Sequence, residues 1–277
     1  MHDPSALDEL RIDVQAYRDA RLWRLTAPTG WLALVNKTWL SEGTATLGSA
    51  PDATIVIPGA PARLGTVTRT GAQVRFDVAP GLSARARGNL FQSLVMRSDA
   101  ETPPDEILIG TLHIELIRRG DDLALRVRDP ENPARKSFPG IPCFDLAPAW
   151  RIVARYQPRA DALFVDIADS DGRPQRYLSP GTAFFEVAGK PCQLQLFTES
   201  DQRRLFILFT DATNAKQTYG AGRFLYAPLP ADGEVVLDFN KAFNPPCAFT
   251  PFASCPVPPA ANRLDLAVEA GEKLPNA

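Results

Sequence analysis

Seven residues in the last third of the chain carry side chains suited to chemistry: Asp211, Tyr219, Arg223, Asp238, Asn240, Asn244 and Cys247. A guanidinium such as Arg223 clamps a carboxylate or phosphate in a planar fork of hydrogen bonds. An aspartate at 211 or 238 can then act as a base or as a metal ligand, and a Cys247 thiolate as a nucleophile if a base or a depressed pKa activates it. On this reading Asp211, Asp238 and Cys247 are the catalytic candidates, and Tyr219, Arg223, Asn240 and Asn244 the ligand-binding ones. The same residue types also build a buried Arg–Asp pair that fixes a loop, with asparagines bonded to loose backbone groups. Both readings stand at the level of sequence.

The elements that must position these groups are strands and a rigid loop. Asp211 and Asp238 each close an expected strand, and Arg223 follows the flexible Gly220-Ala221-Gly222. If those strands are neighbours, the acids and Arg223 converge at one end of a sheet. Asn244-Pro245-Pro246-Cys247 is stiffened by its prolines, and a stiff loop holds side chains to the tolerance a site needs. Phe239, Phe243, Phe249 and Phe252 either line an apolar pocket or anchor that loop. Cys247 and Cys255 are too far apart in sequence for a zinc knuckle. With His2 and His113 the only histidines, a zinc site would have to draw on Asp238 or on the remote Cys143 and Cys192. Packed thiols are the simpler reading. Gly220-Ala221-Gly222 lacks the strand–GxGxxG–helix context of a nucleotide motif, and no cofactor is named by the residues.

Periodicity predicts a mainly β protein, with an N-terminal helix followed by two β-rich lobes of sandwich or barrel type. Leu7, Leu10, Val14, Tyr17 and Leu22 recur at helical spacing, and Pro28 and Gly30 end the pattern. Residues 1–30 form this helical segment, 31–128 an N-terminal sandwich-like lobe, 129–148 a proline-rich linker and 149–277 the C-terminal lobe. Short β-type runs punctuated by Gly, Pro and Asp fill both lobes. They include Trp31–Leu34, Glu106–Ile117, then Arg151–Tyr156, Leu163–Ala168, Gln175–Leu178 and Thr182–Val187 with a hairpin turn at Asp171-Gly172, and, near the end, Arg263–Val268.

The 277 residues carry a net charge of −2, which argues against a sequence-independent nucleic-acid binder, since that needs a basic field. No apolar run approaches the roughly 20 residues of a membrane span. The start, Met1-His2-Asp3-Pro4-Ser5, carries no leader pattern. With only four cysteines, a cytoplasmic setting is expected.

Three runs resemble the signature of the domain-of-unknown-function 1684 family: Thr218-Tyr219-Gly220-Ala221-Gly222-Arg223-Phe224-Leu225; Leu237-Asp238-Phe239-Asn240-Lys241-Ala242-Phe243-Asn244-Pro245-Pro246-Cys247-Ala248-Phe249; and Cys255-Pro256-Val257-Pro258-Pro259. The resemblance runs from Trp31-Leu32 through Ala270-Gly271-Glu272-Lys273 and implies no assigned activity. In the N-terminal half, Thr44-Ala45-Thr46-Leu47-Gly48, Asp52 to Ile57 and a hairpin around Gly71 are similar to the sandwich of forkhead-associated domains. Those domains read phosphothreonine with an Arg after the Gly and a later Ser-x-x-His. Here Ser49 follows Gly48, and Ala60-Pro61-Ala62-Arg63 stands at the second place, so the resemblance implies a shared fold without that recognition.

The expectation from sequence is a site for a small anionic metabolite in the C-terminal lobe, of hydrolase or lyase type. The alternative is a non-catalytic binding or adaptor protein that uses its sandwich surfaces.

Overall fold

The computed structural model describes residues 4–199 and 202–275, without the side chains of Pro4 and Ala162. His2 lies outside the described residues. The chain is mainly β, as its patterning predicts, with one long N-terminal helix, α1 (Pro4–Thr26). Two compact units form: residues 24–138, and residues 1–23 together with 139–277. No described helix is long and apolar enough to cross a membrane.

In the first unit eleven short strands make two sheets. They are β1 (Leu34–Trp39), β2 (Gly43–Gly48), β3 (Ile55–Val56), β4 (Gly65–Thr70), β5 (Gln73–Val78), β6 (Ala84–Ala86), β7 (Asn89–Phe91), β8 (Ser93–Val95), β9 (Glu106–Ile109), β10 (Leu112–Arg119) and β11 (Asp122–Arg128). The orders are β1-β11-β10-β9-β6-β7 and β3-β2-β4-β5-β8. Alternation puts Leu47, Val67, Val74 and Phe76 of one sheet, and Ile107, Ile114, Leu125 and Val127 of the other, into a shared core. The expected strand Trp31–Leu34 is instead a 3-10 turn over Trp31–Ala33 that leads into β1. The run Glu106–Ile117 is split at Gly110, whose φ of 59° makes a tight turn between β9 and β10.

The second unit holds one six-stranded antiparallel sheet: β12 (Arg151–Ala168), β13 (Pro174–Val187), β14 (Lys190–Thr198), β15 (Leu205–Phe209), β16 (Arg223–Ala227) and β17 (Glu234–Asp238), ordered β16-β15-β14-β13-β12-β17. β12 and β13 are each longer than their sequence suggests. Register shifts at Pro158/Leu163 and at Leu178/Gly181 bend them without ending them, and those bends break the alternation that strand reading relies on. The sheet curls around Leu194, Leu196, Ile207, Phe209, Leu225, Leu237 and Phe239. Beyond β17 the chain is irregular but tied down. The strand expected over Arg263–Val268 is absent. That segment runs past the end of β15 through single bonds, such as Leu264 N–H to the Thr210 carbonyl at 2.8 Å and Ala212 N–H to the Leu266 carbonyl at 2.9 Å.

The inward stripe of α1 differs from its apolar pattern. Val14 is buried, but Leu22 is exposed, as are Ile12 and Trp23. Continuing the row from Val14 and Tyr17 by four residues reaches Arg18 and Arg21. Both guanidiniums bond to carbonyl groups of the second unit, Phe144 and Asn244 respectively.

Candidate functional site

Two glycines place two buried charges of the second unit. Gly222 has φ +99°, and a Cβ there would meet the Phe209 carbonyl at 2.7 Å and Pro258 at 2.6 Å. Gly271 has φ +77°, and a Cβ there would press into the Ala242 carbonyl and meet the Phe239 carbonyl at 2.8 Å. Each position therefore admits only glycine without a backbone shift. The residue that follows, Arg223 or Glu272, is carried into the interior.

Arg223 is wholly buried above the Phe209 ring. One of its terminal nitrogens bonds Asp211 Oδ2 and the Val268 carbonyl, both at 2.8 Å; the other bonds the carbonyls of Ala270 at 2.5 Å and Glu272 at 3.2 Å. Asp211 Oδ1 accepts from the Thr213 amide and hydroxyl at 2.8 and 2.6 Å. Burial pushes the Arg223 pKa down against the opposing pull of Asp211. The expected convergence of Asp211 and Arg223 is thus present, and it staples residues 268–272 to the sheet.

Asp238 does not join them. Its Oδ1 accepts from the Asn240 amide and side chain at 3.1 and 3.0 Å, capping the 3-10 turn Phe239–Lys241, and its Oδ2 accepts from Arg151 at 3.0 Å. Asn240 in turn clamps Ala147 through both backbone groups, at 2.9 and 3.0 Å. Asn244 gives its amide to Glu272 Oε2 at 2.7 Å and its Nδ2 to the Lys273 carbonyl at 2.7 Å; its buried Oδ1 has no partner. Tyr219 donates to the Cys247 carbonyl at 3.3 Å, and burial raises its phenol pKa, with Cys247 and Cys255 adding to the shift. Phe239 packs edge-on to Phe209 and Trp150 in the core, and Phe243 stacks on Tyr226, so these two aromatics anchor the chain. Cys143 and Cys192 lie on other elements from Cys247 and Cys255. Among the described residues no three His, Cys, Asp or Glu side chains gather as a metal cluster.

An open cleft lies under α1, with a volume of about 350 Å³, bounded by Gln15, Arg18, Arg21, Cys143, Asn240 and Glu272 among others. Arg21 Nε bonds Glu272 Oε1 at 3.0 Å, and its terminal nitrogen bonds the Asn244 carbonyl at 2.8 Å while the group sits over the Phe243 ring. Burial raises the Glu272 pKa, and Arg21 and the Asn244 amide oppose that rise. Arg18 donates one bond to the Phe144 carbonyl at 2.9 Å, while its Nε is buried with no acceptor. The Cys143 thiol is pushed up by burial, against the field of Arg18.

Residues 136–273 match the family described as "Protein of unknown function (DUF1684)". The match begins well after Trp31-Leu32, so the resemblance is narrower than the sequence reading drew it. No comparison supports the forkhead-associated likeness of the N-terminal half. The uncharacterized protein from gene locus rrnAC0354 of Haloarcula marismortui, solved by solution NMR, is 38% identical over 52% of this chain and 80% of its own, with a TM-score of 0.43. No curated protein matches.

All seven candidates read from sequence lie inside the DUF1684 segment, yet only Asn240 borders the cleft. Arg18 and Arg21 lie outside that segment and were missed because charged residues in an amphipathic helix read as its solvent face. The available signal was their position, four residues after Val14 and Tyr17 on the apolar stripe.

Proposed function

We propose that the protein binds a small anionic metabolite, a carboxylate or phosphate compound, in the cleft beneath α1. The observation that carries this reading is the buried Arg18 Nε–H, a charged donor without an acceptor at the wall of the cleft. A buried polar group left unpaired costs about 1–3 kcal/mol, and more when charged. An oxyanion in the cleft would supply the missing acceptor once the Arg18 side chain turns its Nε–H toward the opening, and Arg18 would hold it as a guanidinium holds any carboxylate or phosphate. The volume suits a metabolite-sized ligand. Cys143, which burial keeps as a thiol, lines the same wall and gives its proton to the Ile141 carbonyl at 3.6 Å. The Glu272 carboxylate is already committed to Arg21 and the Asn244 amide, so its charge is compensated locally.

In this reading Asn240 belongs to the wall. Asp211, Tyr219, Arg223, Asp238, Asn244 and Cys247 form the frame that fixes Glu272 and the cleft floor. A hydrolase or lyase step would need Asp211 released from Arg223, or Asp238 from Arg151 and Asn240; the proposal is therefore one of binding.

The test is thermal shift and native mass spectrometry with phosphate, citrate and succinate at constant ionic strength. A ligand at a hundred times its Kd stabilises by about 2.7 kcal/mol. At least one of these anions should give a saturable shift that Arg18→Met removes and Arg11→Met, on the exposed face, retains. A full shift in Arg18→Met, or no shift from any of the three, would overturn the reading.

A further inference from the structure

The Cys247 backbone N–H donates to the Cys255 sulfur at 3.2 Å. That nitrogen is two bonds from the Cys247 Cβ, so the sulfur of one cysteine already rests against the residue it would have to bond. A second contact converges on the same place. The Tyr219 hydroxyl donates to the Cys247 carbonyl at 3.3 Å.

We propose that Cys247 and Cys255 are a redox pair that closes to an intramolecular disulfide on reaction with a peroxide. The two residues are held from different sides, which keeps them in register. Cys247 lies on the 3-10 turn Pro246–Ala248, closed by the Ala248 N–H to the Pro245 carbonyl at 3.0 Å. Cys255 is fastened to the hairpin between β12 and β13. The Ser170 N–H donates to its carbonyl at 2.8 Å, and its own N–H donates to Ser170 Oγ at 3.2 Å. Exposure divides the labour: Cys247 is half-buried and Cys255 buried, so a small oxidant meets Cys247 first.

The chemistry balances as two thiols and one peroxide giving a disulfide, an alcohol or water, and one further water. The Cys247 thiol loses its proton to solvent, and its sulfur attacks the peroxide. An S–O bond forms as the O–O bond breaks, and the departing oxygen leaves as alcohol or water with a proton. The Cys255 sulfur then attacks the resulting sulfenic acid. The S–S bond forms, the S–O bond breaks and water leaves, carrying the Cys255 proton. Both sulfurs are oxidised and the peroxide is reduced.

The test treats the folded protein with hydrogen peroxide in slight excess, alkylates the remaining thiols, and maps the products by mass spectrometry. The expected product has lost two hydrogens, contains one peptide pair joined through Cys247 and Cys255, and leaves Cys143 and Cys192 alkylated. Cys143→Ser and Cys192→Ser should form it at the wild-type rate. In Cys255→Ser the sulfenic acid on Cys247 should persist and react with dimedone. Sulfinic acid on Cys247 of the wild type without the joined pair would overturn the proposal. So would a joined pair that forms only in urea, or an equal rate of oxidation at all four thiols.

Discussion

The Arg223 guanidinium and the Asp211 carboxylate meet at 2.8 Å with neither side chain exposed to solvent. Around that contact the guanidinium also holds the carbonyls of Val268, Ala270 and Glu272. One ion pair therefore fixes the whole segment that delivers Glu272 to the cleft. Breaking a buried pair by removing one partner costs about 3–5 kcal/mol, because the other charge is left uncompensated. Asp211→Asn should lose about that much. Arg223→Lys keeps the charge but loses the fork, and should also strip protection from the amides of residues 263–273. Hydrogen exchange followed by mass spectrometry reads this directly. If Arg223→Lys leaves those amides as protected as in the wild type, the fork is not what holds the segment.

In the first unit Asp105 plays the matching part. Its buried carboxylate accepts from Arg87 at 2.6 and 2.5 Å, and from the Arg97 amide and guanidinium at 2.8 to 3.2 Å. Burial alone would raise its pKa, but the two guanidiniums outweigh that and hold it well below the usual carboxylate range. A depressed folded-state pKa gives stability that is present above the unfolded value and lost as pH falls through the folded one. Asp105→Asn should therefore lower the unfolding temperature at neutral pH and flatten the acid side of the stability profile. Calorimetry from about pH 7 to about pH 2 would show it. A variant whose acid slope equals that of the wild type would contradict the assignment.

Glu272 has the opposite sign. Burial raises its pKa despite Arg21 and the Asn244 amide. The folded state then holds the proton more readily than the unfolded one, and stability falls as pH rises through the ordinary carboxylate range to the folded value. Glu272→Gln keeps an oxygen for the Asn244 amide and cannot titrate. The stability of Glu272→Gln relative to wild type should therefore rise between about pH 4 and about pH 7. Urea denaturation at several pH values measures the difference, and a constant difference would refute the raised pKa.

What the sequence disclosed follows from how local each feature is. The strands around Arg69–Gly71 and Asp171–Gly172 were legible because turn residues and alternation act over a few positions. β12 and β13 read as four strands because Pro158 and Gly181 interrupt a pattern that the sheet itself bridges with register shifts. The pairing of Asp211 with Arg223 was anticipated from strand ends and a glycine. The separate fate of Asp238 was not, because it depends on Arg151, 87 residues away, which nothing local ties to it. Arg18 and Arg21 were hidden for a different reason. Their partners, Phe144, Asn244 and Glu272, are at least 126 residues distant, and a charged residue on a helix is ordinarily solvated.

The contrast between those two arginines gives the sharpest division between binding and stability. Arg21 neutralises a buried carboxylate, bonds the Asn244 carbonyl and lies over two aromatic rings. Arg21→Met would leave Glu272 buried without its cation, and should cost about 3–5 kcal/mol. Arg18 carries one carbonyl bond and one unsatisfied donor. The loss of the first is offset by relief of the second, so Arg18→Met should change the stability of the ligand-free protein by less than about 1 kcal/mol. With an anion present the order is set by binding instead: Arg18→Met should forfeit nearly all of the ligand-induced stabilisation. Paired urea melts of both variants, with and without the best-binding anion, decide the matter. A large loss in ligand-free Arg18→Met would make that residue part of the frame, like Arg21 and Arg223, and would leave the cleft without its defining donor.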